Sequence, residues 1–219
     1  MIYNNSEEAI RHNLALNFEW FELDFDWVGG DLLTDAGRAA VTSDRTGSYY
    51  SAKDENLASS EKMENTKSLT LPDIKRLMEE FPKMKVCTDV KSHNVAALAL
   101  MKSELPEVFA DRVVAQIYQP EEYGPVREMG FNNIIWTMYK YSGTDAQALS
   151  SLTLMSLTCV TMPQARAESG FARVCREAGE RVMTHTVNDP ELLERLRREC
   201  SVDEVYSDFL RPEEGGGSG

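Results

Sequence analysis

The sequence predicts an α/β fold, a (β/α) barrel of the TIM type. From Thr70 onward, short β-type runs alternate with amphipathic helical runs, and the connections are short. That alternation builds a parallel sheet with helices covering it. About seven such units favour a closed ring over an open doubly wound sheet. No GxGxxG follows the first strand, which weighs against a dinucleotide fold.

Asn5 to Asn17 is expected to be a helix, capped by Asn5 with Glu8 three residues on, and with Ala9, Ile10 and Leu14 on its apolar stripe. FELDF, Phe21 to Phe25, is the next strand. Val28 to Arg38 is rich in turn residues, and Ala39 to Asp44 is a short extended piece. Thr46 to Ser68 is polar, and a loop of that length in a compact domain is usually functional or mobile. Thr70 then caps a helix that has Pro72 in its first turn and Asp73 closing a capping box. The strands that follow are KVCTDV, VVAQIY, NIIWTMY, LTCVTM, RVMTHTV and EVYSDFL. Between them lie helices from Asn94 to about Asp111, interrupted by Pro106, and over Glu121–Met129, Thr144–Leu152 and Gln164 to about Ala178. A last helix is capped by Asp189 and opened by Pro190.

The FELDF strand carries the chemistry. Alternation puts Phe21, Leu23 and Phe25 on one face and Glu22 and Asp24 on the other. Phe18, Trp20 and Trp27 flank the run, so the strand reads as buried on both sides. Two carboxylates on one buried face repel each other and lose solvation, and a divalent cation held by oxygen ligands relieves both costs. The alternative is a polar-faced strand whose acids meet solvent. In (β/α) barrels the reacting groups sit at the C-terminal strand ends. The inward phase there adds Asp89 and Lys91, Gln116 with Tyr118, Trp136, His185 and Asp208. Glu22, Asp24 and Asp89 can hold Mg²⁺ or Ca²⁺, and Lys91 can neutralise a phosphate. The alternative is a structural ion-pair network.

The net charge of −13 argues against a nucleic-acid or anionic-membrane surface. No stretch is long enough to be a transmembrane segment. Cys87, Cys159, Cys175 and Cys200 lack metal-type spacing, and Cys87 and Cys159 read as buried free thiols. Gly215 to Gly219 reads as an engineered linker, leaving 1–214 as a single barrel domain.

Together these segments resemble the glycerophosphodiester phosphodiesterase family. NSEEAIRHNLALNFEWFELDF is similar to its opening, and TDAGRAAVTSD to its segment before a catalytic His-Asp. TDVK is similar to its E-x-K strand, and IIWTMY, MTHTVND and VYSDFL to its later strand ends. The resemblance implies a (β/α)8 barrel and a phosphodiester substrate, either a small molecule or a lipid headgroup. It implies that Glu22, Asp24 and Asp89 bind the metal, that Lys91 contacts phosphate, and that Trp136 and His185 line the pocket. The family begins with a strand bearing His-Arg-Gly. This chain starts at the following helix, so that strand is expected to be missing. The second family histidine falls where Ser43 stands, beside Asp44. With both partners replaced, the resemblance implies a catalytically impaired enzyme in which Ser43, Asp44 and His185 are what remains at the catalytic positions. His12 is expected on the surface, and His93 on a loop at the same end of the barrel. The missing strand would leave an open barrel edge between FELDF and EVYSDFL, inviting a homodimer or a complementing strand. An engineered non-catalytic scaffold is the alternative.

Overall fold

A computed structural model of the chain describes residues 5–34, 68–207 and Leu210. Ala39 to Asp44, most of the polar loop, Ser43 itself, Asp208 and the terminal glycines lie outside the described residues.

Among the described residues the chain forms an eight-stranded sheet of order β2-β1-β3-β4-β5-β6-β7-β8, with every neighbour parallel except the β1/β2 pair. The strands are β1 Trp20–Val28, β2 Asp31–Thr34, β3 Lys85–Val90, β4 Val113–Ile117, β5 Ile134–Thr137, β6 Cys159–Pro163, β7 Val182–His185 and β8 Glu204–Val205. The helices are α1 Glu7–Leu14, α2 Leu71–Glu80, α3 Asn94–Glu104, α4 Tyr123–Glu128, α5 Asp145–Leu152, α6 Gln164–Arg166, α7 Ala172–Glu177 and α8 Pro190–Cys200. The sheet curls into part of a barrel with helices between the strands, as the alternation predicts.

Local chemistry explains most element ends. Thr70 and Asp73 form a reciprocal capping box at α2, Thr144 and Gln147 form another at α5, and Asp189 caps α8 ahead of Pro190; such caps are worth about 1 kcal/mol each. The cap of α1 is Ser6 rather than Asn5: its hydroxyl accepts from the Ala9 amide at 3.3 Å. The shorter serine side chain lies one residue nearer the first free amides. The turn-rich stretch after Val28 is a β-hairpin. Gly29 and Gly30, at φ +63° and +99°, form its two-residue loop, a conformation that suits glycine. Between α6 and α7 a π-helical turn, Ala167–Phe171, carries Gly170 at φ +99°.

The main core lies between sheet and helices and includes Leu23, Leu77, Val86, Leu98, Ile117, Ile134, Trp136 and Leu196. Burying a side chain of this size contributes about 1.5–3 kcal/mol. A smaller cluster of Cys87, Val114, Ile135 and Cys159 fills the inside of the curl. Both thiols are free and buried.

The ring is open. β1 pairs with β3 from Trp20 to Phe25, and on its other side β2 covers only Phe25 to Val28. Among the described residues no strand pairs with that other side of Trp20–Asp24, or with the far side of β8.

Candidate metal centre

The inward face of β1 and the end of β3 converge. One carboxylate oxygen each from Glu22, Asp24 and Asp89 lies within 4.8 Å of the others. The pairing register explains this. Asp24 sits opposite Asp89 across the parallel ladder, and Glu22 opposite Cys87. In-register parallel strands place like positions side by side, so Glu22 and Asp24 on one strand meet Asp89 on the next.

Lys91 follows the end of β3. Its ammonium donates to Asp24 and, at 2.9 Å, to Asp89. Asp89 is buried and also accepts from the Tyr118 and Tyr139 hydroxyls, the latter at 3.1 Å. Burial pushes the Asp89 carboxyl up, but Lys91 and the two hydroxyls outweigh it and hold the group below the ordinary carboxylate value. Glu22 goes the other way. Burial, then the charges on Asp24 and Asp89, push its carboxyl well above the usual range. Burial alone would lower Lys91, yet Asp24 and Asp89 hold its ammonium firmly charged.

These groups open into a cleft of about 920 Å³. It runs from the carboxylates through the open seam, past Phe18 and Phe21 on one side and Leu193 and Leu210 on the other. Gln116 lines it. The Gln116 Oε1 accepts from the Thr137 hydroxyl, while among the described residues its buried Nε2 lacks a nitrogen or oxygen partner and has the Cys87 thiol, a weak acceptor, beside it. Asn94 and Glu122 hold the segment, Asn94 Nδ2 donating to the Gln116 carbonyl at 2.9 Å and Glu122 accepting from the Tyr118 amide at 2.6 Å. His185 lines the same cleft with Nδ1 3.0 Å from the Thr161 hydroxyl, and burial pushes its imidazole below the ordinary value.

Of the residues expected at the site, the fold brings together Glu22, Asp24, Asp89, Lys91, Gln116 and His185 around one cleft. Trp136 is a correction. It is 0% exposed, belongs to the helix-facing core, and donates its indole N–H to the Tyr118 carbonyl at 3.2 Å. The inward phase of this segment belongs to Ile135, Thr137 and Tyr139. A one-residue slip exchanges the faces of a strand, and the large apolar indole packs edge-on against Tyr141 beneath the helices. The slip hid Tyr139, which sits 40% exposed between Asp89 and His185. Correct alternation from Ile135 would have found it. His12 and His93 are exposed and stand away from the cleft.

The donor set suits a hard cation. Three carboxylates supply oxygen ligands, and one ammonium stands among them. No helix among the described residues is long and apolar enough to cross a membrane.

No family model matches the sequence, and no curated protein matches it significantly. Solved structures do match. A glycerophosphodiester phosphodiesterase from Parabacteroides distasonis superposes with a TM-score of 0.65 at 15% identity, covering 93% of this chain and 86% of that one. One from Agrobacterium tumefaciens gives 0.58 at 16%, covering 94% and 90%. An Oleispira antarctica phosphodiesterase, in complex with the product sn-glycerol-3-phosphate, gives 0.61 at 16%, covering 94% and 89%. The chain has the glycerophosphodiester phosphodiesterase fold.

Proposed function

We propose that the chain is a metal-dependent phosphodiester hydrolase of the glycerophosphodiester phosphodiesterase type, with impaired turnover. The observation that carries this reading is the convergence of Glu22, Asp24 and Asp89 within 4.8 Å, beside Lys91, at one end of a curled parallel sheet. Mg²⁺ and Ca²⁺ are the ions such oxygen donors suit. A bound dication would polarise a phosphoryl oxygen as a Lewis acid. Lys91 offers positive charge to the phosphate, and the Gln116 amide offers a donor deeper in the same cleft. The sn-glycerol-3-phosphate in the Oleispira antarctica structure supports a small phosphodiester, free or as a lipid headgroup.

General acid–base groups contribute about 10²–10⁴-fold to such reactions. Ser43 and Asp44 stand where the resemblance places a catalytic His-Asp, and a serine hydroxyl is a poor proton shuttle at neutral pH. His185 is an imidazole lining the cleft, its Nδ1 3.0 Å from the Thr161 hydroxyl. It takes the acid–base role at reduced efficiency. The seam supports one further parallel strand, from a second copy or another peptide, against Trp20–Asp24 and β8.

Hydrolysis of glycerophosphodiesters with Mg²⁺ or Ca²⁺ tests the reading, with Glu22→Ala as the control. Slow, metal-dependent turnover that the substitution removes is expected. Turnover indifferent to metal and to Glu22→Ala would overturn it. Light scattering across protein concentrations tests the seam, a strict monomer that captures no strand peptide being the contrary result.

A further inference from the structure

We propose that Lys91 is a built-in competitor at the cation site, and that metal entry drives its ammonium onto the substrate phosphate. The inference rests on the metal reading above and adds an order of events to it. The Lys91 ammonium lies between Asp24 and Asp89, bonded to both, and these are two of the three carboxylates that would ligate the ion. Lys91 takes Asp24 Oδ1 and Asp89 Oδ2, and the Tyr118 and Tyr139 hydroxyls take Asp89 Oδ1, so an ion held at about 2.0–2.6 Å from these carboxylates competes with the ammonium for their oxygens. The like charges of ion and ammonium also oppose joint occupancy.

The lysine is suited to leaving. Its ammonium is a compact charge on a flexible four-carbon stem, without the fixed fork of a guanidinium. Its backbone stays anchored, the Lys91 amide donating to the Phe25 carbonyl at 3.0 Å. The side chain therefore swings while the strand end holds. Lys91 lines the cleft, so the displaced ammonium remains where a phosphate bound beside the metal would meet it. A single ammonium also bonds two of the three carboxylates, with the Glu22 carboxylate within 4.8 Å of both. A dication settles all three carboxylates at once. Metal loading and phosphate binding then reinforce each other, because the phosphate takes up the cation that the metal releases.

The test reads the movement in the wild-type protein. Lysines are labelled with an amine-reactive acetylating reagent and mapped by mass spectrometry, with the exposed Lys83, which does not line the cleft, as internal reference. Saturating Ca²⁺ should raise Lys91 labelling about fivefold or more relative to Lys83, an ordinary coupling magnitude. Inorganic phosphate added with the Ca²⁺ should reverse most of the gain. Unchanged or reduced labelling on Ca²⁺ addition overturns the proposal. Calorimetric Ca²⁺ titration of two variants supplies the second arm. Lys91→Met should bind Ca²⁺ at least about fivefold tighter than wild type, and Lys91→Arg no tighter, because its fork grips the two carboxylates. A structural lysine would instead weaken Ca²⁺ binding in both variants, which also overturns it. If neither Ca²⁺ nor Mg²⁺ binds wild type or Lys91→Met, the metal reading falls and the competitor falls with it. If Ca²⁺ binds wild type while Lys91 labelling stays flat, only the competitor falls.

Discussion

Two clusters in this molecule set carboxylates against cationic side chains and end in opposite states. On the outside, Glu7 of α1 is served by two guanidinium groups, Arg76 of α2 and Arg11 one turn along its own helix, and Arg11 reaches on to Glu80. Those hydrogen bonds, Arg76 first, hold the Glu7 carboxyl down at about 2. At the mouth of the curled sheet, Glu22, Asp24 and Asp89 share one ammonium, and burial drives Glu22 the other way. The outer cluster is electrostatically finished. It fastens α1 to α2 and asks for nothing more. The mouth holds more negative charge than its own chain neutralises, at a place where solvent does little of the screening, and such an excess is what a hard cation offsets.

The strongest way to break that contrast is to remove Asp89. It holds Lys91, Tyr118 and Tyr139 at once, so Asp89→Ala strands a buried tyrosine hydroxyl at a cost of about 1–3 kcal/mol. Thermal melts should show a lower midpoint, and the upward shift given by Ca²⁺ or Mg²⁺ should vanish. A retained metal shift would place the ion elsewhere. Glu22→Gln sharpens the contrast from the other side. It removes a crowded charge while keeping shape, so the metal-free protein should gain stability. Metal affinity should fall in the same variant. Denaturant titration with and without Ca²⁺ separates the two effects, and a loss of metal-free stability would count against the crowding.

The legibility of these two regions in the sequence also differs. The parallel layout, the capping box at Thr70 and Asp73, and the meeting of Glu22, Asp24 and Asp89 follow from period-two alternation and short connections, both printed in the residue order. Trp136 failed because a continuous apolar run carries no phase: IIW reads equally well from either face, and only packing decided that the indole goes under the helices. Tyr139 was lost with it. The α1–α2 ion network was invisible for another reason, since Glu7 and Arg76 are separated by |i−j| = 69 and meet only through tertiary structure. The Gly29-Gly30 hairpin carried a readable signal, two glycines between extended runs.

The smallest expected effects come from pH and from the surface cluster, and they carry opposite signs. Glu22 has a folded carboxyl raised above its ordinary 4.5. Its contribution is therefore full below that value and is lost as pH rises through the raised folded-state value. Glu7, lowered to about 2 from 4.5, contributes above 4.5 and loses that contribution as pH falls toward about 2. Glu22→Gln should flatten the neutral limb of the metal-free stability profile and leave the acid limb alone. Arg76→Ala should flatten the acid limb only. Its cost at neutral pH should be small and should shrink with added salt, because the Arg76–Glu7 pair is exposed. Ca²⁺ should stabilise the wild type more as pH rises from 5, since a raised Glu22 carboxyl must lose its proton to become a good ligand. A profile in which both substitutions move the same limb would mean that the two clusters are one electrostatic system, and that the excess at the mouth is balanced from the surface.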